Sequence, residues 1–317
     1  MRIEEVRSMS SGTVNPEDYL PSEMFKSGFP VLASGRFYAK VAQGQVSKVG
    51  EISVPLSSLP DYGMSYTLIL HLESGGYSND YRFWVYPDGR RLEEKANLSW
   101  RNDLENKGVM VSDRLDGEMQ KLLESGKSVL LLPDMKTVEE NTAGGLFTPD
   151  FWNWTMFRTI SENAGKEVSP GTLSVLNDPN HPLFNGFPCS GYSQWQWWSI
   201  TRNSRPLILD DLQDYVPVVQ VIDNVERAHK LGIVSEFSVG KGKLMICMTD
   251  LDALAGTPEG DAFLASLVRY LSSEDFHPSY KVTIEELCRI LYSDRQEIHM
   301  KGVRNETDYS DKKSNSF

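Results

Sequence analysis

Three groups of carboxylates have the residue types needed for general acid and base chemistry: Asp210 with Asp211, Asp250 with Asp252, and Glu139 with Glu140. Hydrolysis of a glycosidic bond needs one carboxyl group as acid and a second as base or nucleophile. Asp210 and Asp250 each follow a strand-like run, so both are predicted at strand ends, where α/β folds bind ligands. Aspartates at strand ends also cap helices and form turns, and this structural interpretation is favoured over catalysis.

Cysteine and histidine provide no catalytic or metal-binding motif. Cys189, Cys247 and Cys288 are far apart and fit neither a disulfide framework nor paired zinc ligands. The five histidines are scattered, without a His-x-x-x-His or His-x-His pair. The run 186–191 around Cys189 lacks the spacing of a nucleophile elbow, and the glycines at 240–242 lie between two predicted strands rather than before a helix. We therefore predict no catalytic residue, no metal site and no cofactor.

Two short aromatic segments hold five of the seven tryptophans: Trp152 and Trp154 in 151–157, and Trp195, Trp197 and Trp198 in 192–198. Flat indole faces stack on the apolar faces of sugar rings, so a carbohydrate-binding surface is one hypothesis. Burial is favoured over it, because large aromatic residues usually fill cores or interfaces. In an extended segment, Trp195 and Trp197 would share one face and Trp198 would point away.

The elements that would position these residues fall into two parts. Residues 36–95 contain alternating apolar runs, which predict strands joined by turns in a small β-sandwich, at 37–41, 50–54, 66–72 and 81–86. Residues 96–290 begin with a strand at 108–111, an amphipathic helix from 115 to about 126 and an apolar strand at 127–133, which together form a βαβ unit. Further strands are predicted at 171–176, 217–222, 232–237 and 243–248, and a helix at 260–271.

The element order predicts an α/β fold with an open, mostly parallel sheet covered by helices. Within it, residues 236–248 are expected to form a hairpin through the glycines at 240–242. Residues 1–35 are rich in Ser, Pro and Gly and are predicted to be a linker or arm. Residues 291–317 are predicted to be a polar tail.

Composition narrows the classes of partner. Lys and Arg number 32 against 44 Asp and Glu, a net charge of −12 that disfavours binding to nucleic acid. No apolar run approaches the length of a membrane span, and the start of the chain lacks the apolar core of a signal peptide. Membrane insertion and export are therefore not expected from the sequence as it stands.

Five motifs occur in an order that resembles the C-terminal accessory region of bacterial glycoside hydrolases of family 2, the β-galactosidase-like enzymes common in gut Bacteroidetes. The resemblance covers most of residues 37–287, and its most specific pieces lie at 77–87, 147–153, 178–183, 193–198 and 219–224. It implies an immunoglobulin-like sandwich at 36–95 followed by a flavodoxin-like domain at 96–290, similar to class I glutamine amidotransferases.

The resemblance also implies that the chemistry of the parent enzymes lies elsewhere. Their active site is on a separate upstream barrel of about 250 residues, and only a linker is predicted before the sandwich. The catalytic Asn-Glu pair has no counterpart in a barrel strand, since Asn305 and Glu306 lie in the predicted tail. Asp134 follows Leu132 and Pro133 where an amidotransferase would carry its cysteine.

Together these observations favour a non-catalytic accessory module that packs against a catalytic glycoside hydrolase domain, upstream or in trans. It would bind oligosaccharide through residues from three segments: Trp152, Trp154, Trp195, Trp197, Trp198, Asp223 and Asn224. Two alternatives stay open. One is a glycoside hydrolase that uses Asp210, Asp250 or Asp252, and the other is a purely structural or oligomerising domain. A periplasmic location is expected if the chain derives from a secreted parent enzyme.

Overall fold

The computed structural model describes residues 2–7, 31–34, 36, 38, 43–56, 59, 65–74, 77–87, 99–143, 163–165, 174–223 and 229–293. The strands are β1 (Arg2–Arg7), β2 (Val31–Ser34), β3 (Tyr66–Ser74), β4 (Tyr77–Val85), β5 (Val109–Ser112), β6 (Ser128–Leu131), β7 (Ser174–Leu176), β8 (Leu207–Ile208), β9 (Val219–Ile222), β10 (Lys230–Val239), β11 (Gly242–Cys247) and β12 (Lys281–Val282). The helices are α1 (Ser99–Asn106), α2 (Gly117–Glu124), α3 (Met135–Val138), α4 (Trp197–Arg202), α5 (Pro258–Leu271) and α6 (Ile284–Tyr292).

A small antiparallel sheet has the strand order β2-β1-β3-β4. β3 and β4 pair over their whole length, from Tyr66 opposite Val85 to Ser74 opposite Tyr77, and this confirms the strands predicted at 66–72 and 81–86. The predicted strand at 50–54 is wrong, because those residues have no regular structure. Residues 1–35 were predicted to be an arm without regular structure, but they contribute β1 and β2 to this sheet. The run 37–41 falls largely outside the described residues.

The larger sheet has the order β5-β6-β11-β10-β9-β7, with β8 and β12 also paired to β10. β5, β6 and β11 are parallel neighbours, as the predicted βαβ unit requires. β11, β9 and β8 are antiparallel to β10, and β7 is antiparallel to β9. The prediction of α/β structure is therefore confirmed, but the sheet is mixed rather than mostly parallel.

Short connections explain the antiparallel half of the sheet. β9 ends at Ile222 and β10 begins at Lys230, and β10 reaches β11 through only Gly240 and Lys241. A parallel crossover needs a dozen or more residues, so both connections must be hairpins. The predicted hairpin at 236–248 is confirmed, and Gly240 adopts a φ of 59° at its turn.

Helices cover both faces of the larger sheet, and the sheet separates the core into two clusters. Alternate residues of β6 and β11 enter opposite clusters: in β11, Met245 belongs to the cluster with α1, α4 and α5, whereas Ile246 belongs to the cluster with α2, α3 and α6. This alternation follows from the two-residue period of a strand. The fold is therefore a three-layer α/β/α arrangement. No helix in the described part of the chain has the length and apolar character needed to cross a membrane.

Two local sequence features fix the packing at the edges of this core. A Cβ atom added at Gly242 would lie 2.4 Å from the Leu123 carbonyl oxygen and 2.5 Å from the Lys127 carbonyl oxygen, so only glycine allows β11 to approach the connection before β6. α6, which the sequence did not predict, begins with a capping box: Thr283 Oγ1 accepts from the Glu286 backbone N–H, and the Glu286 carboxylate accepts from the Thr283 N–H.

Candidate functional site

The tryptophan-rich segment 192–198 forms a tight turn that leads into α4. Trp197 N–H donates to the Gln194 carbonyl at 2.9 Å, and Trp198 N–H donates to the Trp195 carbonyl at 3.0 Å. These contacts curl the chain where alternation suggested an extended segment. The expectation that Trp195 and Trp197 share a face is therefore wrong: Trp195 is 82% exposed and Trp197 is 1% exposed.

Trp197 is a core residue. Its indole ring makes edge-to-face contacts with Phe184, Phe187 and Phe263, at centroid distances of 6.1, 5.2 and 6.0 Å. Edge-to-face geometry suits the quadrupoles of aromatic rings and adds to the burial of apolar area. The Trp197 side chain is therefore not presented to a ligand at the surface, and burial, the favoured hypothesis for the tryptophans, holds for this one. Trp198 is half-buried on the first turn of α4.

Trp195 lies on a loop that its own side chains close. Gln194 Nε2 donates to Ser190 Oγ at 2.9 Å, and Ser190 N–H donates to Gln194 Oε1 at 3.3 Å. The same loop carries Tyr192, which is 48% exposed. We name Tyr192 and Trp195 the Trp195 surface. It combines two exposed aromatic rings with a loop that is closed by two hydrogen bonds between Ser190 and Gln194.

The small sheet docks on the inner side of this loop. Arg82 Nη1 of β4 donates to Ser190 Oγ at 3.3 Å and to the Tyr192 hydroxyl at 3.5 Å. Tyr86 donates its hydroxyl proton to Gln196 Oε1 and stacks on Phe187 at a centroid distance of 6.0 Å. These contacts were not predictable from the sequence, although the strand alternation does place Arg82 and Tyr86 on one side.

The Tyr86 contact is largely removed from water. Burial raises the pKa of the Tyr86 phenol well above its ordinary value, and the nearby Glu259 carboxylate adds to the shift. Gln196, which accepts its proton, is 4% exposed and donates in turn to the Pro188 carbonyl at 2.8 Å. The loop that carries the Trp195 surface is therefore packed against Tyr86, the residue that follows β4.

A second cluster brings together Asp210 and Asp223 around His229. The ring Nδ1 of His229 lies 2.6 Å from Asp210 Oδ2, and the His229 N–H donates to Asp223 Oδ2 at 3.1 Å. Asp210 Oδ1 also accepts from the Lys230 N–H at 2.7 Å. These bonds link the end of β8 to the β9–β10 hairpin. His229 was not predicted as a site residue, because its spacing along the chain matches no motif.

The other carboxylates considered for catalysis have structural partners. Asp250 Oδ1 accepts from the Ala253 N–H at 3.0 Å, in the turn that the favoured interpretation predicted. Asp252 Oδ2 lies 3.5 Å from Arg101 Nη2, and Glu139 Oε1 lies 3.6 Å from Arg205 Nη2. Asp211 lies 3.9 Å from Arg289. These contacts do not bring Asp250 and Asp252 into the cluster around His229.

The thiols have little nucleophilic character in their surroundings. Burial raises the pKa of Cys189 to about 12 and that of Cys247 to about 11, so neither is a thiolate near neutral pH. Asn177 Nδ2 donates to Cys189 Sγ at 2.9 Å. Within the ranges that the structure describes, no group of three or more His, Cys, Asp or Glu side chains could hold a metal ion. Trp152, Trp154 and Asn224 lie outside the described residues.

Fold and site define an α/β domain with helices on both faces of a mixed sheet, joined through the Trp195 loop to a smaller antiparallel sheet. Residues 110–292, more than half of the chain, match a family described as a domain of unknown function, DUF8487, and the chain belongs to that family. Residues 23–87 match a second domain of unknown function, DUF8488. No curated protein matches the chain.

Proposed function

We propose that the chain is a non-catalytic accessory module that packs against a catalytic glycoside hydrolase domain and contacts carbohydrate through the Trp195 surface. The observation that carries this proposal is the 82% exposure of the Trp195 indole, beside a tryptophan at position 197 that is buried. Covering the flat face of a large exposed indole with an apolar surface, such as one side of a sugar ring, stabilises the complex because apolar area is removed from water.

Rigidity supports the same proposal. The reciprocal bonds between Ser190 and Gln194 and the contact of Arg82 with Tyr192 hold the loop before any ligand arrives. A site that is already ordered loses less conformational entropy on binding. The Tyr192 hydroxyl adds a polar group on the same loop, which suits a ligand with hydroxyl groups around an apolar ring.

The finer fold assignments belong to this proposal. We take the α/β domain to be flavodoxin-like, related to the class I glutamine amidotransferases, because β5, β6 and β11 form a parallel unit covered on both faces. We take the small antiparallel sheet to be part of an immunoglobulin-like sandwich. A relation to glycoside hydrolase family 2 would supply the catalytic domain as partner.

Isothermal titration with galactosides, glucuronides and plant oligosaccharides tests the proposal. Trp195→Ala should weaken binding about fivefold, the equivalent of about 1 kcal/mol for one stacked ring. Val216→Ala is the control, because Val216 is also exposed, at 73%, but lies outside the Trp195 loop. Equal affinities for the wild type and Trp195→Ala would refute a role for this surface. Light scattering with a family 2 catalytic barrel tests the packing partner.

A second candidate function is hydrolysis by the chain itself, and the contact of Asp210 and Asp223 with His229 favours it. An aspartate held against Nδ1 fixes the orientation of the imidazole, as in acid–base sites. Nitrophenyl glycosides provide the assay. Activity that disappears in Asp210→Asn and persists in Asp250→Asn would establish it, whereas no turnover by the wild type would exclude it for these substrates.

A further inference from the structure

The aromatic side chains of β4 form an exposed row on the face directed away from the α/β domain. Among the described strands, β4 lies at one end of the small sheet. Tyr77, Tyr81 and Phe83 are 84%, 46% and 51% exposed, and they share one face because side chains alternate along a strand. Arg82 lies on the other face, where it donates to Ser190. We name Tyr77, Tyr81 and Phe83 the β4 row.

The spacing of the row suits a long, extended ligand. Residues in a strand advance by about 3.3 Å, so Tyr81 and Phe83 are about 7 Å apart and Tyr77 and Tyr81 are about 13 Å apart along the strand. Successive rings at these intervals can stack under a line of linked sugar rings. A compact ligand the size of one or two sugars would touch only part of the row.

The chemistry of this face favours an uncharged ligand. Asn79 lies between the two tyrosines, and its Nδ2 donates to the Tyr81 hydroxyl at 2.8 Å. The residues opposite Phe83, Tyr81 and Asn79 on β3 are Leu68, Leu70 and Leu72. The part of the face formed by β3 and β4 therefore carries neutral amide and phenol groups beside leucines, of which Leu68 is buried. The net charge of −12 opposes an acidic polysaccharide.

We propose that the β4 row is a second binding surface, which takes an unbranched, uncharged glycan chain. The proposal rests on the carbohydrate-binding function proposed above but uses different residues on a different face. Stacking on the three rings supplies affinity, and the amide of Asn79 and the phenol hydroxyls exchange hydrogen bonds with sugar hydroxyls. The inner face of β4 is anchored by Arg82, so the row is held in place before the ligand binds.

Affinity electrophoresis of the whole chain tests this surface. The probes are hydroxyethylcellulose, xylan and glucomannan as neutral linear glycans, with polygalacturonate as the acidic comparison. At least one neutral glycan should retard the wild type, and the double variant Tyr81→Ala/Phe83→Ala should bind it at least about tenfold more weakly. Tyr81→Phe keeps the ring and should stay within about threefold of the wild type. Val216→Ala should bind like the wild type.

The outcomes separate the two proposals. Weak binding of the neutral glycan by the double variant, with normal binding by Trp195→Ala, upholds the β4 row; the reverse result refutes the β4 row. If no neutral glycan retards the wild type, the β4 row is refuted, while binding to short oligosaccharides still decides the Trp195 surface. If the wild type is a dimer by light scattering and the double variant a monomer, the row is a contact between copies and the proposal fails. Circular dichroism and a urea titration check that the double variant folds.

Discussion

The opposite environments of Trp195 and Trp197 predict that the same substitution destabilises the protein strongly at Trp197 and hardly at all at Trp195. Trp197 is 1% exposed and is surrounded by three phenylalanine rings. A buried tryptophan removes about 150–250 Å² from water, which at about 25 cal/mol per Å² corresponds to about 4–6 kcal/mol. Alanine retains a little of this, so Trp197→Ala should lower the free energy of unfolding by about 3–5 kcal/mol.

Trp195→Ala should change the free energy of unfolding by no more than about 0.5 kcal/mol, because the indole is largely in water already. Urea titration followed by circular dichroism measures both variants. With a slope of about 2 kcal/mol per molar urea, the midpoint of Trp197→Ala should fall by about 2 M and that of Trp195→Ala should stay within about 0.3 M. Equal midpoints, or a greater loss in Trp195→Ala, would refute the burial assigned to the two residues.

Two further predictions concern the packing at β11 and the buried phenols. Gly242→Ala should lower the free energy of unfolding by about 1–3 kcal/mol, because its Cβ would overlap two backbone carbonyl oxygens; Gly117→Ala, where a Cβ meets nothing within 4 Å, is the control, and similar urea midpoints for the two variants would contradict the close approach. Burial raises the pKa of Tyr86, Tyr215 and Tyr270, so ultraviolet titration should show these phenols still protonated in the folded protein at pH 11. The pKa values of these phenols in the unfolded chain are about 10, so the free energy of unfolding should be independent of their ionisation below about pH 10 and should decline as the pH rises above it. Ionisation of all tyrosines near pH 10 without unfolding would contradict the burial.

Patterns of short range predicted much of the α/β domain. The two-residue turn at Gly240 and Lys241 and the apolar run of β6 gave the hairpin and the βαβ unit. The antiparallel direction of β9 relative to β10 could also have been predicted, because too few residues separate the two strands for a crossover. β1 and β2 could not have been predicted, since their pairing depends on partners far along the chain and their residues show little alternation.

The site was harder to predict than the fold. Trp195 and Trp197 have the spacing of a strand, but Trp197, Ile200 and Thr201 are all buried at helical spacing, which was a signal for α4. The pair of Asp210 and His229 joins residues from separate connections, and only the assembled sheet brings them together. The exposure of Tyr77 and Tyr81 likewise depends on what covers each face of β4.

The contacts beneath the Trp195 loop affect how the chain can be divided. The family match begins at residue 110, which suggests a natural point for dissecting the protein into fragments. A fragment that started there would lose Tyr86, and with it the ring that covers Phe187 and the hydroxyl that Gln196 accepts from. It would also lose Leu104 of α1, which is fully buried. We expect the newly exposed aromatic patch to lower the solubility of such a fragment, because the family match leaves out residues that cover the core of the α/β domain.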